Sequence, residues 1–253
     1  MYYRVLFLGQ KSFGEKCFKY LTKSEFKYVK ICGLVSNSTM KNWWGSNNIF
    51  KLKNELPFIE NNKRHTCLIN KMIDDFNINT IISVQHPWIL DSSILKKVNY
   101  NAFNFHNAKL PEYGGNKVCS HVILNNESEH YSTAHFIDDT VDKGDIIFQK
   151  KCKIESFDTS KSLFEKGEKM GFSLFKKVIS YLENGDTFPR RKILGEGNFY
   201  SFNSLKGLKE IKNINDFSEV DKKSRAFYFD GFEPAYFLLN GKKFYIYPET
   251  KKY

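Results

Sequence analysis

The sequence predicts an α/β protein built on a doubly wound, mostly parallel sheet, followed by a small β-rich C-terminal appendage that ends in a hairpin. Three observations carry this expectation. Short apolar runs recur at residues 3–9, 29–36 and 79–84, with segments of helical periodicity between them, the alternation that builds parallel sheets. The runs are apolar almost throughout rather than at every second position, as strands covered on both faces are. Near the C-terminus, Asn240-Gly241 stands between two alternating apolar runs, the strongest short-range hairpin signal.

The elements follow in order. The run 3–9 ends in Gly9 and reads as the first strand; Ser12, with Glu15 three positions on, is expected to cap the next helix. Phe13, Cys17, Phe18 and Leu21 give that helix its apolar face. Residues 37–48, rich in Asn, Ser and Trp, read as a loop. Helical periodicity over 67–77 leads into the strand at 79–84, and 116–126 forms another helix. Strands are expected at 132–137 and 146–154, around a turn-rich loop from Asp138 to Gly144. A long helix from Ser160 to Asn184 takes its start signals from Ser160 and the 155–158 region, and Gly185 closes it. A shorter helix is expected over Ile211–Val220. The domain boundary is set at 185, with residues 1–185 as the main domain and 186–253 as the appendage.

Composition narrows the classes. Aromatic residues make up 16% of the 253, enough to exclude general disorder. A net charge of +11 suits an anionic partner. The Lys and Arg residues are scattered, without the basic, aromatic-interleaved block that single-stranded nucleic acid needs, so no nucleic-acid partner is expected. The five cysteines are scattered and contain no Cys-x-x-Cys pair; neither a disulfide framework nor a metal site is expected. The N-terminal residues do not read as a signal peptide and no apolar stretch reaches membrane-span length. The expectation is a cytoplasmic protein with no membrane partner.

Two stretches carry chemistry. In Phe103-Asn104-Phe105-His106, positions i and i+2 of a strand share a face. Asn104 and His106 then project an amide and an imidazole together, while Phe103 and Phe105 anchor the other face. The loop 138–145 holds four carboxylates, Asp138, Asp139, Asp142 and Asp145, in eight residues. Its spacing matches no calcium loop. Carboxylates in a cleft can orient an imidazole. The loop Gln85-His86-Pro87-Trp88-Ile89-Leu90 follows the strand at 79–84, and ligands of doubly wound sheets bind outside the carboxyl ends of strands.

Asn104-Phe105-His106, then Leu110-Pro111, then Val141-Asp142-Lys143-Gly144-Asp145 resemble, in order and spacing, the motifs of the 10-formyltetrahydrofolate-dependent formyltransferases. The resemblance covers roughly residues 1–185 and implies a Rossmann-like fold. Toward the C-terminus, Arg225-Ala-Phe with Phe232-Glu-Pro-Ala-Tyr-Phe and Asn240-Gly-Lys-Lys resembles the nucleotide-sugar N-formyltransferases, in particular those acting on dTDP-4-amino-4,6-dideoxyglucose for O-antigen synthesis. Asp230-Gly231 departs from that pattern, which places small or Pro residues there.

The resemblance implies roles residue by residue. Asn104, His106 and Asp142 form the catalytic trio: His106 as general base, Asn104 as donor to the developing oxyanion, and Asp142 as either orienter of His106 or holder of a proton-relay water. Gln85, His86, Pro87, Trp88, Ile89 and Leu90, with Asp138 and Asp139, form the folate side. On the sugar-nucleotide side, Lys109 and Arg225 are the candidates for phosphate, and Phe227 or Tyr228 for the base. The donor is 10-formyltetrahydrofolate, no metal is implied, and the aromatic hairpin favours a homodimer. Four readings stay open: hydrolysis of the same donor, another amine such as a GDP- or UDP-linked amino sugar, a basic nucleic-acid-binding protein, and a non-catalytic scaffold descended from the enzyme. Which nucleotide is used, and whether the amine sits at C3 or C4 of the sugar, also stays open.

Overall fold

The computed structural model describes residues 2–38, 49–62 and 65–249. Most of the loop expected at 37–48 lies outside the described residues. The chain begins with β1 (Tyr3–Gly9), α1 (Lys11–Lys23), β2 (Val29–Ser36), β3 (Phe58–Glu60), α2 (Thr66–Asp75), β4 (Thr80–Val84), α3 (Ser92–Lys97) and β5 (Ala102–His106). It continues with β6 (Gly114–Gly115), α4 (Val118–Leu124), β7 (Glu129–Phe136), β8 (Ile146–Lys153) and α5 (Ser160–Asn184). The last elements are β9 (Phe199–Tyr200), α6 (Phe217–Ala226), β10 (Ala235–Leu239) and β11 (Lys242–Ile246). The chain divides into two compact units. Unit 1 holds residues 1–106, 133–149 and 171–194; unit 2 holds 107–132, 150–170 and 195–253.

The seven-stranded sheet runs β3-β2-β1-β4-β5-β7-β8. The pairs β1–β2, β1–β4, β2–β3 and β4–β5 are parallel, and β5–β7 is antiparallel. The doubly wound, mostly parallel sheet is therefore what the sequence predicted. The apolar runs are continuous because the sheet is covered on both sides. Val5, Phe7, Ile82, Phe103 and Phe105 join the α1 face (Phe13, Cys17, Phe18, Leu21) and the α5 residues Leu174, Phe175 and Val178 in one cluster. Leu6, Leu8, Ile81 and Ala102 join Ile69, Met72 and Ile73 of α2 and Ile94 and Leu95 of α3 in the other. Strand alternation sends neighbouring residues to opposite layers. The chain builds outward from β1 to β2 and β3 and then returns to β4 on the other side of β1, so the topological switch point lies between β1 and β4, where sheets of this kind take ligands at the carboxyl edge.

Three local expectations need correction. Gln10, extended at φ −152°, is the N-cap residue of α1 and makes no side-chain cap bond, so Ser12 lies inside the first turn instead of capping it. The chain turns into the helix as soon as the Gln10 N–H has bonded the Val84 carbonyl. At α5, Thr159 and Ser162 exchange bonds between side-chain hydroxyls and backbone N–H groups, whereas the Ser160 hydroxyl donates to the Tyr228 carbonyl. The helix expected over 211–220 forms over Phe217–Ala226. Asp216 accepts from the Glu219 N–H, and the Glu219 carboxylate binds the N–H groups of Lys212 and Asn213, fixing those residues as the lead-in.

In unit 2, Ala108, Tyr113, Val118, Val122, Leu163, Leu205, Ile211, Ala226, Phe227 and Ala235 form one core. β10 and β11 pair antiparallel, with Leu239 opposite Lys242. Asn240 and Gly241 both take positive φ, 49° and 74°, as the two-residue turn requires. The C-terminal hairpin stands where the sequence put it. Among the described residues, no helix is long and apolar enough to cross a membrane, and no cluster of three or more His, Cys, Asp or Glu could hold a metal ion.

Candidate active site

The site in unit 1 grows out of β5. Phe103 and Phe105 sink into the core, and His106 on the opposite face is 9% exposed. Asn104 stands directly opposite His135 of β7 in the antiparallel register. Its amide nitrogen lies 3.1 Å from His135 Nε2. His135 Nδ1 lies 2.8 Å from the Phe136 carbonyl; that carbonyl can only accept, so Nδ1 carries the proton and donates. Nε2 of the neutral ring is then the acceptor, which turns the Asn104 amide nitrogen toward it. Burial pushes the His135 pKa down, against the pull of Asp142, so the ring is neutral at physiological pH.

The acidic loop delivers Asp142. Asp138 Oδ1 accepts from the Thr140 N–H and hydroxyl, closing a tight local turn. Gly144 is the residue that lets the loop lie against β7: a Cβ there would sit 1.9 Å from the Phe136 carbonyl oxygen. Asp142 takes a left-handed conformation at φ 55°. Its two oxygens reach 3.7 Å from His106 Nδ1 and 3.7 Å from His135 Nε2. These are ion-pair distances rather than hydrogen bonds. One carboxylate thus stands between two imidazoles. The chain brings Asn104, His106 and Asp142 together and adds His135, which the sequence reading missed. The signal for His135 is cross-strand pairing, visible only once the β5–β7 register is known.

Of the residues on the folate side, Asp139 accepts from the Tyr100 hydroxyl at 3.0 Å. Trp88 and Ile89 are exposed and Leu90 is buried in the core. Gln85 is left-handed at φ 56°. His86 meets His65 edge to face with ring centroids 5.7 Å apart. Both His86 ring nitrogens are buried, without a hydrogen-bond partner among the described residues. Burial, helped by His65, lowers its pKa to about 3.

The four residues assigned to the sugar nucleotide belong to unit 2. The Lys109 ammonium pairs with Glu112 at 2.6 Å. Arg225 places Nε and Nη2 on Asp221 Oδ2, at 2.9 and 2.8 Å, and Nη1 on the Asp158 carbonyl. Phe227 is buried in the unit 2 core. The Tyr228 carbonyl accepts from the Ser160 hydroxyl, and its ring meets Tyr247 edge to face.

An imidazole beside a carboxylate, with an amide donor held by a second imidazole, is the equipment of a proton-transferring transferase or hydrolase that stabilises a developing oxyanion. The profile of the Formyl transferase family matches residues 3–179, and the chain belongs to that family. It is 30% identical over 172 residues to GDP-perosamine N-formyltransferase of Brucella melitensis biotype 1, a match covering 68% of this chain and 65% of that relative. The chain therefore spans just under two thirds of that relative's length. Among solved structures it is similar to a 4-N formyltransferase from Francisella tularensis, with TM-score 0.80, 23% identity and 99% of each chain covered. It is also similar to an N-formyltransferase from Helicobacter canadensis in complex with folinic acid and dTDP-3-aminofucose, with TM-score 0.74, 24% identity, and 95% and 86% of the two chains covered. These two likenesses establish a shared fold.

Proposed function

We propose that the chain transfers the formyl group of 10-formyltetrahydrofolate to the amino group of a nucleotide-linked amino sugar. The observation that carries this reading is the convergence of Asn104, His106, Asp142 and His135 at the β5–β7 end, in a chain that belongs to the formyl transferase family. The relative named for GDP-perosamine and the solved neighbour that holds folinic acid with a dTDP-amino sugar support a nucleotide sugar and a folate. dTDP-4-amino-4,6-dideoxyglucose is the acceptor the C-terminal motifs favour, and GDP-perosamine is the acceptor the name of the Brucella relative favours.

In this mechanism the sugar amine attacks the formyl carbon of the donor and a tetrahedral oxyanion forms. His106 takes the proton that the attacking nitrogen releases. Asp142 stands beside the imidazolium that results. An amide nitrogen carries two N–H groups; Asn104 uses one on His135 and offers the other to the oxyanion. Collapse breaks the bond from the formyl carbon to the folate nitrogen, which receives the proton. Trp88 and Ile89 present the exposed apolar surface that a bicyclic ring can cover, with Asp138 and Asp139 on the facing loop. The reaction is placed in the cytoplasm, as a step toward a surface polysaccharide. The chain acts as a homodimer through the hairpin, where Leu239, Phe244 and Tyr245 are exposed on a two-stranded sheet too small to bury its own faces.

The test is a transfer assay with 10-formyltetrahydrofolate and a panel of dTDP-, GDP- and UDP-linked amino sugars. Formylated sugar with one nucleotide series is the expected product. Formate released at the same rate with and without every acceptor would replace transfer by hydrolysis.

A further inference from the structure

Unit 2 contains a half-buried ammonium that is not matched to a carboxylate. Lys117 precedes α4 in a left-handed conformation, φ 57°. Its Nζ lies 4.8 Å from the ring centre of Phe202 and 4.9 Å from that of Phe232. No carboxylate of the described residues lies within ion-pair distance of it. The neighbouring cations are matched: Lys209 and Lys243 share Glu233 at 3.3 and 2.7 Å. Burial and the charge of Lys209 both lower the Lys117 pKa, so the folded chain holds an ammonium where a counter-charge is missing. Phe202 is 69% exposed and Phe232 is 40% exposed. Two exposed phenyl rings beside an uncompensated cation present both things a nucleotide needs: flat apolar faces for a base and a positive charge for phosphate.

We propose that Lys117, Phe202 and Phe232 form the element that recognises the nucleoside diphosphate of the acceptor, with Lys117 on the diphosphate and the rings against the base. The assignment rests on the nucleotide-sugar reading above and deepens it. Arg225, whose guanidinium is held by Asp221 and the Asp158 carbonyl, and Phe227, buried in the core, are committed to the fold, whereas among the described residues the Lys117 ammonium meets ring faces and no carboxylate. A diphosphate is a stronger partner for an ammonium than a ring quadrupole. Its arrival draws Lys117 off the phenyl faces and clears them for the base. The local charge agrees: Lys209, whose charge is felt at Lys117, shares the Glu233 carboxylate with Lys243, so two of these ammonium groups already divide one carboxylate.

The test is calorimetric titration of the full chain with dTDP, GDP, UDP and inorganic pyrophosphate, one at a time. Lys117→Asn removes the charge with a residue that tolerates the left-handed conformation. It should weaken every one of these probes by about tenfold or more, the scale of a charge-assisted hydrogen bond, and Lys117→Arg should restore most of the affinity. Phe202→Ala and Phe232→Ala should each weaken the nucleoside diphosphates by about fivefold or more, the lower end for stacking on a base, and leave pyrophosphate unchanged. In turnover, Lys117→Asn should raise KM for the nucleotide sugar and leave KM for 10-formyltetrahydrofolate alone. Wild-type affinity in Lys117→Asn overturns the assignment. Should that variant not fold, unchanged nucleoside diphosphate affinity in both phenylalanine variants overturns it instead. A wild-type chain that binds none of the probes and formylates no nucleotide sugar overturns this inference and the proposed function together; a wild-type chain that binds and turns over, with variants that match it, overturns this inference alone.

Discussion

Two histidines of unit 1, His135 buried and His86 half-buried with both ring nitrogens covered, make opposite use of burial. His135 and His86 both have pKa values pushed down by desolvation. His135 is satisfied at both nitrogens, donating to the Phe136 carbonyl and accepting from the Asn104 amide. Among the described residues, His86 has a hydrogen-bond partner at neither nitrogen, and its ring meets that of His65 edge to face. A neutral ring with fixed donor and acceptor is a rigid tool for aiming another side chain. A neutral ring without partners carries a desolvation penalty of about 1–3 kcal/mol for each orphaned group and nothing offsets it locally. The difference teaches that burial alone does not let a histidine aim its neighbours; satisfied, directional bonding does.

The comparison can be sharpened from the largest expected effect downward. Asp142→Asn removes the charge shared by the two imidazoles and should lower kcat for formyl transfer by about two to four orders of magnitude, read in steady-state assays. Asn104→Ala removes the oxyanion donor and should lower kcat by about 10²–10³ while leaving the KM values near their normal levels. His135→Phe should lower kcat by about tenfold, because the Asn104 amide loses its acceptor and its aim. His135→Gln, which keeps an acceptor, should recover part of that loss, a rescue that a purely space-filling role does not predict.

His86→Phe should act on stability and not on aim. The folded-state pKa of His86 lies near 3 and its unfolded value near 6.5. Between those values the unfolded chain binds a proton that the folded chain refuses, so stability falls as pH drops below about 6.5. Replacing His86 by an apolar ring removes both that acid sensitivity and the unsatisfied nitrogens. Thermal melts should show a Tm gain of a few degrees, about 2–4 °C per kcal/mol for a chain of this size, larger at pH 5 than at pH 8. A variant that melts earlier than wild type at pH 5 would mean that His86 is bonded in solution.

Legibility in the sequence tracked the length and purity of each signal. The buried strands β1, β2 and β4 announced themselves because a sheet covered on both faces demands unbroken apolar runs. The long helix α5 was legible from the capping residues around its start and from Gly185, which takes φ 72° at its end. β3 and α3 were missed because three and six residues are too few for any period to register. The misplacement of α6 has a specific cause: Ile211, which suggested a helical start, instead bonds Tyr236 through its backbone N–H, while the true signal was Asp216 with Glu219. At the site, strand alternation put Asn104 and His106 on one face, while the choice of Asp142 among the four carboxylates of its loop came from the family resemblance; its place beside His106 comes from the fold. His135 was not legible, since its place opposite Asn104 comes from strand pairing between distant segments. Lys117 was not either, since its meaning lies in what it lacks, and missing partners leave no trace in a sequence.

The central claim is that the imidazole of His106, beside Asp142, carries the proton of formyl transfer. The most direct measurement is the rate at which His106→Asn formylates the best nucleotide amino sugar, with its Tm and nucleotide affinity measured alongside. The account predicts a rate lower by about two to four orders of magnitude in a chain that melts and binds like the parent. A folded variant that turns over at near-parental speed would contradict it.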